Sequence, residues 1–118
     1  MAAVTAPGRR QRLELILERD GTTCVWCGCE VDTPLVQATT EHVVPRLKGG
    51  PSWLENEVAA CKRCNGRRGH RNLVDWADEC DGSGWNVDRH RLVRVLESLD
   101  ARIAVSYTHL RAHETVSD

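Results

Sequence analysis

The chain has 118 residues, with 16 Lys and Arg against 17 Asp and Glu, a formal net charge of −1. Its length suits one domain, and its near-neutral charge does not by itself indicate a nucleic-acid binder. Phenylalanine is absent and aromatic residues make up 4% of the chain. A core built from Leu, Val, Ile and Trp alone would be thin, so a metal or disulfide staple is expected.

No stretch approaches the roughly 20 apolar residues that a membrane span needs. Residues 1–12 lack the apolar region of a signal peptide. We therefore expect a cytoplasmic protein with no membrane association. In that compartment cysteines stay reduced, so clustered cysteines favour metal binding over disulfides.

The hydrophobic pattern predicts an α+β fold. In chain order the predicted elements are a helix over 7–20, a Cys/Gly turn over 24–29, a strand over 35–44, a loop over 47–51, a strand over 57–61, a short helix over 62–68, a helix over 73–80 and a helix over 88–104. Leu92, Leu96, Leu99 and Ile103 are spaced to form one apolar stripe on the last helix. We therefore predict an N-terminal helix in residues 1–20, a core in 21–80 and a C-terminal helix in 81–104.

Residues 105–115 read VSYTHLRAHET and resemble translated sequencing-adapter read-through. We therefore expect residues 105–118 to be a non-native tail and exclude them from the fold prediction. His109 and His113 have the spacing of a metal-binding pair, but they are excluded from the site for this reason.

Two Cys-x-x-Cys pairs predict a structural zinc site. They are Cys24 with Cys27 and Cys61 with Cys64. Each spacing lets two thiolates reach one ion, and four thiolates complete a closed tetrahedral Zn²⁺ site. A thioredoxin-like redox pair would need a βαβ pattern, which the sequence lacks. Cys29 and Cys80 are expected to be free, although Cys29 stays open as an alternative ligand to Cys27.

Four polar residues lie between and just after the cysteine pairs. They are Glu41, His42, Asn56 and Asn65. Together with Gly49-Gly50 and the cysteine that precedes Asn65, this order and spacing resembles the zinc-containing branch of the HNH endonuclease family. The resemblance covers residues 12–76 and implies a small ββα-metal (His-Me finger) core with flanking helices.

The resemblance implies a metal-dependent endonuclease that hydrolyses phosphodiester bonds of DNA. His42 would deprotonate the attacking water, and Asn56 would hold its imidazole in place. Glu41 and Asn65 would bind one catalytic divalent cation, Mg²⁺ or Mn²⁺, through oxygen. The family usually has Asp where this chain has Glu41, whose extra methylene displaces the carboxylate by about one C–C bond length.

A basic run from Lys62 to Arg71 contains no acidic residue. Arg46, Arg67 and Arg68 are the predicted contacts to DNA phosphates, although on charge alone a solvated face is the ordinary interpretation. The four tryptophans, Trp26, Trp53, Trp76 and Trp85, are interpreted as packing residues rather than base-stacking platforms.

Two alternatives without catalysis stay open: a zinc-stabilised DNA-binding module and a structural zinc domain for protein contacts. We expect a bacterial or phage source. Restriction, phage DNA packaging and mobility of a genetic element all remain open as roles. A homodimer, or a partner that supplies specificity, is also left open.

Overall fold

A computed structural model of the chain describes residues 6–116, with side chains described for residues 6–107. The elements are α1 (Arg9–Asp20), β1 (Ala38–His42), β2 (Glu57–Cys61), α2 (Lys62–Arg68), α3 (Leu73–Gly82) and α4 (Arg89–Val116). Two single-turn 3₁₀ helices, Arg46–Lys48 and Leu54–Asn56, lie between the strands. The fold is α+β, as predicted. Within the described part of the chain, no helix is both long enough and apolar enough to cross a membrane.

The two strands form an antiparallel ribbon in which Ala38 lies opposite Cys61 and His42 lies opposite Glu57. β2 has the predicted bounds and is buried over its whole length. β1 is shorter than the predicted strand over 35–44, because it is extended only where β2 provides a hydrogen-bonding partner. Leu35, which was placed inside that strand, is 96% exposed.

Different helices cover the two faces of the ribbon. Successive side chains of a strand point to opposite faces. On one face, Arg9 of α1 donates from Nε to Thr40 Oγ1 at 3.1 Å. On the other face, Asn65 of α2 donates from Nδ2 to Thr39 Oγ1 at 3.1 Å. Neighbouring residues of β1 therefore face different helices.

The junction between β2 and α2 is fixed by a cysteine. Cys61 is the last residue of β2 and the N-cap of α2, where its Sγ accepts a hydrogen bond from the Cys64 backbone N–H at 3.5 Å. This bond satisfies one of the N–H groups that a helix leaves unpaired at its start. The second Cys-x-x-Cys pair therefore forms the start of α2.

α4 packs on the rest of the fold through Leu92, Val95 and Leu99, which are buried. The predicted stripe was therefore wrong in part. Val95 lies in the core, Leu96 is half-buried and Ile103 is exposed. The buried apolar positions of α4 thus recur at i, i+3 and i+7, with Val95 in place of Leu96. α4 also continues to Val116, well beyond the predicted end at residue 104. His109 and His113 have no described side chains, so the predictions made for them lie outside the described residues.

Three of the tryptophans pack against one another. The rings of Trp26 and Trp76, and those of Trp76 and Trp85, meet edge to face with centroids 6.2 Å apart. Trp26 and Trp76 belong to one buried cluster that runs from Ile16 in α1 to Val95 in α4. The interpretation of Trp26, Trp76 and Trp85 as packing residues is confirmed. These rings pack the helices against the ribbon.

Candidate functional site

The two Cys-x-x-Cys pairs meet in space. The Sγ atoms of Cys24, Cys27, Cys61 and Cys64 all lie within 4.8 Å of one another. The first pair lies on the turn after α1 and the second at the β2–α2 junction, so one ion would tie these two parts of the chain together. Cys29 is not in this group, and the choice of Cys27 over Cys29 is confirmed.

The chemistry of this cluster fits a cation. Burial raises the pKa of Cys24 and also that of Cys64. Thiolates packed this closely in a low-dielectric pocket need a compensating positive charge. A Zn²⁺ ion would supply it, and four sulfur ligands are a common structural zinc set.

His42 lies at the end of β1 on the α1 side of the ribbon. Its Nε2 lies 3.0 Å from Ser52 Oγ and 3.6 Å from Glu57 Oε2. Burial lowers the pKa of His42. Glu57 acts in the opposite direction, while Arg46, Arg12 and Arg9 lower it further. The imidazole is therefore held among charged neighbours, with 19% of its side chain still exposed.

Glu57 is a site residue that the sequence did not reveal. It is completely buried, and its carboxylate accepts hydrogen bonds from Arg12 Nε at 2.6 Å and Arg12 Nη2 at 3.4 Å. It faces His42 because the two residues are cross-strand partners. Only the strand register could have identified it, and the register follows from the fold.

Asn56 holds the chain that follows His42. Its Oδ1 accepts a hydrogen bond from the Val44 backbone N–H at 2.9 Å. Its Nδ2 donates to the carbonyls of Val44 at 3.0 Å and Pro51 at 2.9 Å. The Val43 N–H also donates to the Asn56 carbonyl at 2.8 Å. In this structure Asn56 therefore fixes the backbone just after His42 and bonds backbone groups there.

The two glycines of the connecting loop are both required by its shape. Gly49 has φ +87°, in the left-handed region that glycine adopts at little cost. A Cβ on Gly50 would lie 1.7 Å from the Val44 carbonyl oxygen and 2.9 Å from Asn56 Nδ2. The Gly49-Gly50 pair thus lets the loop pass close to the Val44 backbone, where the Asn56 side chain forms its hydrogen bonds.

Glu41 lies on the opposite face of the ribbon from His42 and is 5% exposed. Its Oε2 accepts a hydrogen bond from Trp26 Nε1 at 3.1 Å, and its Oε1 accepts one from Arg68 Nη1 at 3.3 Å. Burial raises the pKa of Glu41 to about 7, although Arg68 and Trp26 lower it. Both carboxylate oxygens are thus occupied by groups of the protein.

Asn65, the other predicted cation ligand, lies on the same side of the ribbon as Glu41. Its Nδ2 donates to Thr39 Oγ1 and to the Thr40 carbonyl, each at 3.1 Å. A divalent cation does not fit beside Glu41 in this arrangement, because the Arg68 guanidinium already provides the neighbouring positive charge. The structure brings Glu41 near α2 and His42 near Glu57, on different faces of the ribbon.

The prediction that Arg68 contacts DNA phosphates is wrong for this structure, because Arg68 is only 1% exposed. Besides Glu41, its guanidinium donates to the carbonyls of His42 at 2.6 Å, Val43 at 2.7 Å and Arg71 at 3.1 Å. Arg68 is therefore an internal residue that holds the end of β1. Arg46 and Arg67 are exposed, and their contacts to phosphates stay predictions.

The sequence model of the HNH endonuclease family matches residues 24–76. This segment includes both cysteine pairs and the four polar residues singled out above, so the resemblance to that family is confirmed over it. The chain is also 32% identical over 74 residues to the CRISPR-associated endonuclease Cas9 of Corynebacterium diphtheriae. The alignment covers 60% of this chain and 6% of that protein, so the chain spans only a small part of this relative.

Proposed function

We propose that this chain is an endonuclease that hydrolyses phosphodiester bonds of DNA, with His42 as the general base. The observation that carries the proposal is the placement of His42. It lies inside the segment that matches the HNH endonuclease family, partly open to solvent, with its Nε2 between Ser52 and Glu57.

The protonation state of His42 suits this role. The pKa of His42 is lowered from its ordinary value of 6.5, mainly by burial, so its imidazole is neutral at pH 7. A carboxylate near Nε2 favours the tautomer with its proton on that nitrogen. The lone pair on Nδ1 is then available to accept a proton from water.

The positive charges near His42 suit a phosphodiester substrate. Arg46, Arg12 and Arg9 lie close enough to lower the pKa of the imidazole. The same charges attract a DNA backbone, and the exposed Arg46 and Arg67 are the proposed phosphate contacts. Asn56 and the buried Arg68 do not contact the substrate in this proposal. They hold the backbone at the end of β1, where His42 lies.

The proposal includes two cations, one structural and one catalytic. Zn²⁺ would be held by the four clustered cysteines and would have a structural role. The family implies a further divalent cation, Mg²⁺ or Mn²⁺, which supplies charge stabilisation at the phosphate when bound. Glu41 and Asn65 remain its predicted ligands, but their present arrangement does not fit it. The proposed proton transfer therefore depends only on groups of the protein.

Nicking of supercoiled plasmid tests the proposal. The assay uses zinc-loaded protein with Mg²⁺, with Mn²⁺ and with neither added. We expect His42→Ala to reduce the nicking rate by about 100-fold or more, the usual contribution of a general base. His90→Ala is the matched control, since His90 is an exposed histidine on α4. Equal nicking by wild type and His42→Ala would refute the role of His42.

The second candidate is a zinc-stabilised DNA-binding module without catalysis. The Glu41–Arg68 ion pair favours it, because it occupies the predicted ligand of the catalytic cation. Salt-dependent DNA binding without nicking under any of the three conditions would support this candidate. DNA binding that is absent or insensitive to salt would favour a structural zinc domain. A cytoplasmic location, and a homodimer or specificity partner, also stay predictions.

A further inference from the structure

A cavity of about 270 Å³ opens between α2, α3 and the turn after α3. Among the residues that line it are Arg67, Arg71, Trp76, Glu79, Ser83 and Trp85. His42, Glu57 and the four clustered cysteines do not line it. The cavity is therefore distinct from the proposed catalytic residue and from the zinc cluster.

Positive charge predominates in this cavity. The Arg71 guanidinium lies 5.6 Å from the centroid of Trp76, and that of Arg67 lies 5.8 Å from the centroid of Trp85. Arg71 Nη1 also donates to the Arg67 carbonyl at 2.6 Å, which ties the two arginines together. One acid opposes them: Glu79 lies 3.5 Å from Arg71, and both side chains are about half exposed. An exposed ion pair of this kind is weak and easily displaced.

Trp76 lines the cavity and carries an unpaired donor, which makes its indole signal a sensitive reporter of this region. Its side chain is buried, and its Nε1–H has no hydrogen-bond partner among the described residues. By contrast, the buried Trp26 donates from Nε1 to Glu41 at 3.1 Å. An indole N–H is a donor only, and a buried donor without an acceptor is unfavourable. The Trp76 ring therefore lines the cavity, while its unpaired N–H is shielded from solvent.

We propose that the cavity binds a phosphate group of the DNA backbone. Two guanidinium groups and the Ser83 hydroxyl line it and offer several donors, and a phosphate offers matching oxygen acceptors. The inference rests on the proposed function in one respect, namely that DNA is the source of the phosphate. Such a contact holds the strand in register and does not read its sequence.

The cavity is joined to the end of β1 by a single buried side chain. Arg68 lies between Arg67 and Arg71 in sequence, and it donates from Nε to the Arg71 carbonyl and from Nη1 to the His42 carbonyl. A phosphate in the cavity would thus be held at a fixed position relative to His42. Its role would be to position the strand that is cut.

The test follows the indole N–H of Trp76 by ¹H–¹⁵N correlation in zinc-loaded His42→Ala protein, which we expect not to cut DNA. The chain has 4 tryptophans, and Trp76→Phe assigns the signal. We expect a short DNA duplex to shift the Trp76 indole signal. Arg71→Gln should abolish that shift and lower the salt dependence of binding by about one counterion. Arg94→Gln, an exposed arginine on α4, is the charge-matched control and should keep the shift.

No shift with DNA, or an equal shift in Arg71→Gln, would overturn the inference. A shift with inorganic phosphate but none with DNA would also overturn it, because the site would then be one for a free anion. Failure of the proposed function is distinguishable from these outcomes. A Trp76 shift together with no nicking by wild-type protein would refute the nuclease and leave the phosphate site standing.

Discussion

Arg67 and Arg68 are sequence neighbours that the structure places in opposite environments, and replacing each with Met tests this placement. In Arg68→Met, three backbone carbonyls lose a charged donor, at about 1 kcal/mol each. Glu41 also loses its cation. We therefore expect the free energy of unfolding to fall by about 3–5 kcal/mol, as for other broken buried ion pairs. Arg67→Met should change it by less than about 0.5 kcal/mol, because the side chain is exposed.

Denaturant unfolding of the zinc-loaded variants at pH 7 measures these differences. If Arg68→Met does not fold, the double variant Glu41→Gln/Arg68→Met removes the uncompensated carboxyl group and should be the more stable of the two. The slope of DNA affinity against salt is the second measurement. Arg67→Met should reduce that slope by about one counterion, and the double variant should not.

The opposite pattern would refute the reasoning. A stable Arg68→Met protein with a reduced salt slope would mean that Arg68 reaches the phosphates, as the sequence alone suggested. Equal destabilisation by Arg67→Met and Arg68→Met would mean that α2 is rotated from its position in the structure.

Three further predictions concern the loop, the zinc cluster and the base. Gly50→Ala should destabilise the protein by about 1–3 kcal/mol or more, because its Cβ would collide with a backbone carbonyl. Gly66→Ala, in an open position on α2, should stabilise the protein by about 0.8–1 kcal/mol. Similar unfolding midpoints for Gly50→Ala and Gly66→Ala would contradict this prediction. Serine at any one of the four clustered cysteines should lower bound zinc and unfold the domain, whereas Cys29→Ser should retain one zinc per chain by metal analysis. Nicking should rise with pH through a pKa below 6.5 and then level off, since the base must be neutral. Glu57→Gln removes a charge that raises the pKa of His42, so the rise should move to lower pH, and a move to higher pH would count against the assignment.

The sequence predicted β2 and α2 to the residue, because an apolar run leads directly into a Cys-x-x-Cys pair. It also grouped the four cysteines that cluster in the structure, since the x-x spacing of each pair needs no knowledge of the fold. It also identified the Gly49-Gly50 loop and Asn56, although the partners of Asn56 are backbone groups and leave no pattern in the sequence.

Arg68 was misassigned because a run of basic residues was interpreted by composition and not by helical position. Arg68 follows the buried Cys64 by four residues, so it lies on the same face of α2 and points inward. Glu57 was missed for a different reason. A single acid at the start of a strand is ordinarily exposed, and only the register of the ribbon shows that it faces His42 and Arg12.

Asn56 has a consequence for how the loop can vary. Its three side-chain hydrogen bonds close the connection between the strands at Val44 and Pro51. The outer turn lies beyond this closure, and Leu47 there is 75% exposed. Residues inserted at that turn would add surface without reaching the frame that holds His42. The loop is thus a natural acceptor for a grafted recognition segment, which could be added without changing His42 or its contacts.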